Sequence, residues 1–222
     1  MIKENVEKFL GEVPKTNPFG EKITVVAAVK MQTVEAINEA VLAGIEVIGD
    51  NHVQEFKEKY EDILGNPKRH FIGHLQTNKV KYLIGKTDLY HSVDRFGLAE
   101  ELSKRSQKAE ITSNILIQIN IGNEESKGGF ELDEVITAYE HVKNLPNLKV
   151  KGLMAMLPFI DDEVELKRLA TLMRQAFDEL KALDSDIEYL SMGMSGDWKL
   201  CVECGSNMIR VGTTLFGARN YN

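Results

Sequence analysis

The stretch Ile23-Thr24-Val25-Val26-Ala27-Ala28-Val29-Lys30 decides the fold. Its five consecutive apolar residues, Val25 to Val29, leave no polar face. That pattern suits a parallel strand buried on both sides rather than one half exposed to water. Working outward, further strand-like runs lie at Ile45–Gly49, His70–Gly73, Leu89–Ser92, Asn114–Ile121, Val150–Met154, Glu188–Ser191 and Met208–Val211. The segments between them carry helical period. Val34, Ile37 and Val41 share a face, as do Leu166, Leu169, Met173, Phe177 and Leu180. Gly44 sits where the first of these helices would end, and Asp94 is a candidate N-cap for a helix over Arg95–Lys108. The first twenty residues read as an extra helix followed by a loop around Pro14 and Pro18. Strands alternating with helices imply a parallel sheet with right-handed crossovers. The expected architecture is a single α/β domain over residues 1–222, a (β/α)8 TIM barrel with an extra N-terminal helix. Alternation alone leaves a doubly wound open sheet as the alternative.

Composition narrows the function classes. Of the 222 residues 43% are hydrophobic and 27% charged, enough apolar content for a large core under an ordinary charged surface. The net charge of −7 repels phosphate backbones, so no nucleic-acid partner is expected. No apolar stretch approaches the ~20 residues needed to cross a bilayer, and the alternating start Met1-Ile2-Lys3-Glu4-Asn5-Val6-Glu7 lacks a signal-peptide core. The expected location is cytoplasmic, with no membrane partner. Cys201 and Cys204 form a lone CxxC without a second pair to complete a zinc site, so they read as small apolar residues on one helix face and no metal is expected.

In a barrel of this kind, chemistry sits at the carboxyl ends of the strands and in the loops after them. Lys30 ends the first strand there. Low-dielectric walls favour a neutral amine, the form that condenses with aldehydes into imines; a lysine merely snorkelling at a strand end is the plainer reading. Ser195 reads as the N-cap of a short helix ending near Gly205, and Gly212 and Thr213 open a final helical turn. Together they match the recurrent phosphate site after barrel strands seven and eight, although a plain cap and a plain turn would look the same. Arg210, inside the mouth, needs a partner: a carboxylate such as Glu188, or a ligand's ring nitrogen or anion. Asn51 can reach the mouth from the second strand, with helix capping by Asp50 or Asn51 as the alternative. His70 and His74 make a weak metal pair across a strand-to-loop boundary. Lys127-Gly128-Gly129 reads as a mobile glycine-rich loop without Walker A spacing.

Five motifs in fixed order carry a resemblance. They are Val26-Ala27-Ala28-Val29-Lys30, Ile48-Gly49-Asp50-Asn51-His52-Val53-Gln54-Glu55, His70-Phe71-Ile72-Gly73-His74-Leu75-Gln76-Thr77-Asn78-Lys79, Ser191 to Asp197, and Arg210 to Thr213. With the closing Phe216-Gly217-Ala218-Arg219, the chain resembles the pyridoxal-phosphate homeostasis protein family from end to end. It departs at Asp50, where the family usually has glutamate, at Val29, usually serine, and by one extra residue in Met154-Ala155-Met156-Leu157-Pro158. The resemblance implies pyridoxal 5′-phosphate held as an internal aldimine on Lys30. It also implies a phosphate gripped by Ser195, Gly212 and Thr213, and Arg210 facing the pyridine nitrogen. Asn51, His74 and Met154 would line the pocket less directly. The implied role is cofactor buffering and delivery without robust turnover, with apo-enzymes that require the cofactor as recipients.

The fold is also similar to the barrel domain of the alanine racemases, so a pyridoxal-phosphate-dependent amino-acid racemase is the rival. In those enzymes a carboxyl-terminal β domain supplies a tyrosine base. Here the eight βα units take up residues 23 to 222, and the expectation is that this part is missing.

Overall fold

The computed structural model describes residues 1–124 and 128–217; Lys127, Ala218 and Arg219 of the stretches above lie outside the described residues. An N-terminal helix α1 (Ile2–Glu12) precedes strand β1 (Thr24–Ala28). The chain then runs through α2 (Val34–Leu42), β2 (Val47–Asp50), α3 (Val53–Lys59), β3 (Lys68–Phe71), β4 (Leu89–Val93), α4 (Phe96–Lys108), β5 (Ser113–Ile119) and α5 (Val135–Lys143). It finishes with β6 (Leu148–Ala155), α6 (Glu163–Leu183), β7 (Tyr189–Ser191), α7 (Trp198–Glu203), β8 (Met208–Val211) and α8 (Thr213–Phe216). Each strand hydrogen-bonds to the next in parallel, and β8 closes on β1 with Val26 opposite Arg210. The closed ring settles the barrel against the open sheet.

Several boundaries move. Strand β1 stops at Ala28, so Lys30 stands two residues past it rather than at its end. Between β3 and β4 a 3-10 helix, Thr77–Tyr82, takes the place of an α-helix. Asp94 does not cap α4. Arg95 occupies the N-cap without a side-chain bond, and the Asp94 carboxylate is instead taken by His74 and Arg95. Thr33 caps α2 by accepting from the Ala36 amide at 3.2 Å, and Gly44, at φ +114°, follows that helix's C-cap.

The alternation of side chains along a strand sorts residues into two layers. Ala27 of β1 and Val29 just past it pack outward with Ile209 and Val211 of β8 under the helices. Val26 faces inward with Val47, Ile72, Leu89, Leu116, Met154 and Met208. Lys30 shares the parity of Val26 and Ala28, so continuing the inward row of β1 delivers it to the mouth. Gly152, at φ +147°, lets β6 approach β7; any Cβ there would collide with the Tyr189 carbonyl.

At the amino end of the barrel, Arg174 of α6 ties three segments together. It bonds Glu21 at 2.7 Å and the Gly205 carbonyl at 3.0 Å, and its guanidinium lies 3.8 Å from the Phe19 ring centre. Burial pushes the Glu21 carboxyl up, but hydrogen bonds from Arg174, Lys181 and Asn17 outweigh it and bring the pKa from 4.5 to about 2. The folded state thus holds this proton more weakly than the unfolded chain. The contribution to stability is present above pH 4.5 and is lost as pH falls toward 2. Denaturant midpoints measured across that window are expected to fall less steeply in Glu21→Gln than in the parent chain; identical slopes would contradict this.

Candidate functional site at the carboxyl ends of the strands

The turn after β1 is built to present Lys30. Met31 adopts φ +61°, a left-handed conformation uncommon for a residue with a side chain. Its amide donates to Glu55 Oε2 at 2.8 Å. Burial raises the Glu55 pKa, but bonds from His52, Lys59 and the Met31 amide prevail and bring it to about 2, so the anchoring carboxylate is charged at neutral pH. Lys30 itself is half-buried and has no ion-pair or hydrogen-bond partner among the described residues.

Lys30 opens onto a cavity of about 460 Å³, within the range of cofactor-sized pockets. Asn51, Ser195, Arg210, Gly212 and Thr213 line the same cavity. Six of the eight residues named from the sequence therefore meet in one place. Ser195 is not the cap of α7, whose N-cap residue is Asp197. The Ser195 hydroxyl instead accepts from the Gly212 amide at 3.3 Å, joining the loops after β7 and β8. Asp197 also borders the cavity, with its carboxylate engaged by the Met194 amide at 2.6 Å.

Arg210 is 5% exposed and has no carboxylate partner among the described residues. Glu188, the structural partner considered above, pairs instead with Lys151 at 2.7 Å. The Arg210 guanidinium donates through Nη1 to the Ser191 carbonyl at 2.9 Å and hydroxyl at 2.6 Å, and through Nη2 to the Ala155 carbonyl at 2.9 Å. Burial lowers its pKa to about 10, so it keeps its charge at neutral pH. Its Nε has no partner among the described residues, leaving a donor spare beside the cavity.

Two residues named from the sequence stand elsewhere. His74 is exposed, with Nδ1 3.1 Å from Asp94 Oδ2, and does not line the cavity. Met154 is buried one inward step below the mouth, and Met156, the next inward position along the chain, borders the cavity instead. The parity 152, 154, 156 was the signal that could have found it. Neither Asp50 nor Asn51 caps α3, because Asp50 is buried against Arg69 at 3.1 Å. His70 lies inside the barrel and His74 outside, so they share no metal site. Both cysteines are free and buried, and burial pushes their thiols up, away from thiolate.

The donor set suits an aldehyde carrying a phosphate: a partnerless amine, a spare guanidinium donor, and a Ser195 hydroxyl joined to the Gly212 amide across two loops, with Thr213 next to it. Comparison with known proteins bears on that chemistry. The family model described as "Alanine racemase, N-terminal domain" matches residues 2–220. A pyridoxal phosphate homeostasis protein of Aquifex aeolicus is 43% identical over 189 residues, 84% of this chain and 83% of the relative. The chain belongs to the pyridoxal phosphate homeostasis protein family.

Solved structures agree in fold. PipY of Synechococcus elongatus with PLP bound superposes with a TM-score of 0.85 at 29% identity, covering 98% of this chain and all of PipY. The alanine racemase of Clostridium difficile matches all of this chain but 57% of its own, with a TM-score of 0.79 at 13% identity; that likeness is one of fold. Among the described residues, no helix is long and apolar enough to cross a membrane.

Proposed function

We propose that the chain binds pyridoxal 5′-phosphate in the mouth cavity, attached covalently through Lys30, and buffers and delivers it in the cytoplasm without robust turnover. One observation carries this reading: the partnerless Lys30 amine shares a cavity with the Ser195, Gly212 and Thr213 cluster. When bound, the cofactor supplies an aldehyde that condenses reversibly with a primary amine. The chain's own groups do the rest. The Ser195 and Thr213 hydroxyls and the loop amides hold the phosphate. Arg210, which keeps its proton, offers a hydrogen bond to the ring nitrogen and no proton to transfer. Asn51 and Met156 border the ring, and reversible attachment at an open mouth allows passage to apo-enzymes.

Racemisation needs an acid or base on each face of a substrate. The described titratable residues at the cavity are Lys30, Asp197 and Arg210. Asp197 is engaged by a backbone amide, and Arg210 does not release its proton near neutral pH. Lys30 stands as a single base. Purified protein given the cofactor is expected to develop a visible absorbance band that borohydride erases, while D- and L-alanine interconvert at a negligible rate. A colourless protein would refute binding, and robust interconversion would refute the carrier role.

A further inference from the structure

A polar chain crosses the barrel interior. Arg210 of β8 donates to the Ser191 hydroxyl of β7 at 2.6 Å. That hydroxyl lies 3.0 Å from Nδ1 of His91 on β4, across the barrel. His91 Nε2 is in turn 3.0 Å from Nδ1 of His70 on β3. Ser191 and His91 have no solvent exposure and His70 has 4%. His70 also borders a second cavity, of about 600 Å³, at the amino ends of the strands, and its Nε2 has no protein partner among the described residues.

The direction of this chain follows from counting hydrogens. Arginine only donates, so Ser191 Oγ accepts from Arg210. The serine's own hydrogen then has one acceptor in reach, Nδ1 of His91. His91 must carry its proton on Nε2 and give it to Nδ1 of His70, which leaves the His70 proton on Nε2 at the amino-end cavity. The opposite direction would leave a buried hydroxyl hydrogen without an acceptor, a costly state. Both rings are neutral in this arrangement. Burial brings the His70 pKa to about 3, and burial together with the neighbouring Arg210 charge pushes His91 down as well.

We propose that His91 and His70 are positioning residues for Arg210: with Ser191 they form a one-way hydrogen-bond chain through the barrel that fixes the guanidinium at the cofactor's edge. This rests on the mouth cavity being the pyridoxal phosphate site. Without the chain, the buried Nη1 donor loses its hydroxyl partner, and the guanidinium is held only by the Ser191 and Ala155 carbonyls, a looser hold at the mouth.

Long-range nitrogen–proton NMR of the histidine rings, recorded on the whole protein with and without pyridoxal phosphate, tests the direction. Both His91 and His70 are expected as neutral Nε2–H tautomers from pH 5 to 8. A proton on Nδ1 of His91, or a charged ring, would overturn the chain. Ser191→Ala, which removes one oxygen, tests the consequence. Its affinity for pyridoxal phosphate is expected to drop at least about ten-fold, the scale of one lost bond to a charged group, and the bound cofactor's absorption maximum is expected to shift. Parent-like affinity and spectrum in that variant would overturn the positioning role alone. A parent protein that takes up no cofactor would overturn the site reading and the positioning role with it. If Ser191→Ala does not fold, the tautomers of the parent protein decide.

Discussion

Lys30→Ala is expected to abolish every borohydride-fixable attachment of pyridoxal phosphate at the mouth cavity. No other lysine borders that cavity among the described residues. The nearest structural cause is the turn after β1. Met31 is held at a positive φ by its bond to Glu55, and this fixes the backbone from which Lys30 projects. Replacing Lys30 leaves that turn and the outward packing of Ala27 and Val29 intact, so the variant is expected to fold with parent-like stability. Phosphate contacts remain, so weak noncovalent binding persists while the visible band disappears. Mass spectrometry after reduction checks this. A variant that is still labelled stoichiometrically at one site would show that another amine does the work.

The second large effect concerns the phosphate. The Ser195 hydroxyl and the Gly212 amide are already joined, so the loops after β7 and β8 form one unit before any ligand arrives. A preorganised grip costs little to complete on binding. Hydrogen bonds to charged groups contribute about 1.5–3 kcal/mol each. Removing two hydroxyls in Ser195→Ala/Thr213→Val is therefore expected to weaken pyridoxal phosphate about 10² to 10⁴-fold, at 1.4 kcal/mol per decade. Pyridoxal, which lacks the phosphate, serves as the control. Its affinity is expected to change far less, and the difference between the two ligands isolates the phosphate term. Equal losses for both ligands would place the phosphate elsewhere.

Much of this was legible in the residues because it depends on periods. The apolar run before Lys30 and the helical stripes specify a parallel sheet covered by helices. The order of the motifs puts Lys30, Ser195, Arg210, Gly212 and Thr213 at strand ends. What the sequence left open depends on individual partners across the barrel. Asp94 reads as a helix cap, yet it serves His74 and Arg95, because nothing local says that two distant side chains will compete for its oxygens. Arg210 reads as needing a partner, either a carboxylate such as Glu188 or a ligand's ring nitrogen or anion. Its charge is instead shared among two carbonyls and a hydroxyl, partners that only the barrel's closure brings together. Met154 and Met156 differ by one inward step, and the choice between them turns on where β6 ends. The link between His70, His91 and Ser191 joins residues 21 and 100 positions apart in the chain and follows no motif.

The most direct measurement is the intact mass of the parent protein after incubation with excess pyridoxal phosphate and reduction with borohydride, followed by peptide mapping. One phosphopyridoxyl group per chain, on the peptide containing Lys30, is the expected result. An unmodified protein, or label scattered over other lysines with Lys30 spared, would contradict it.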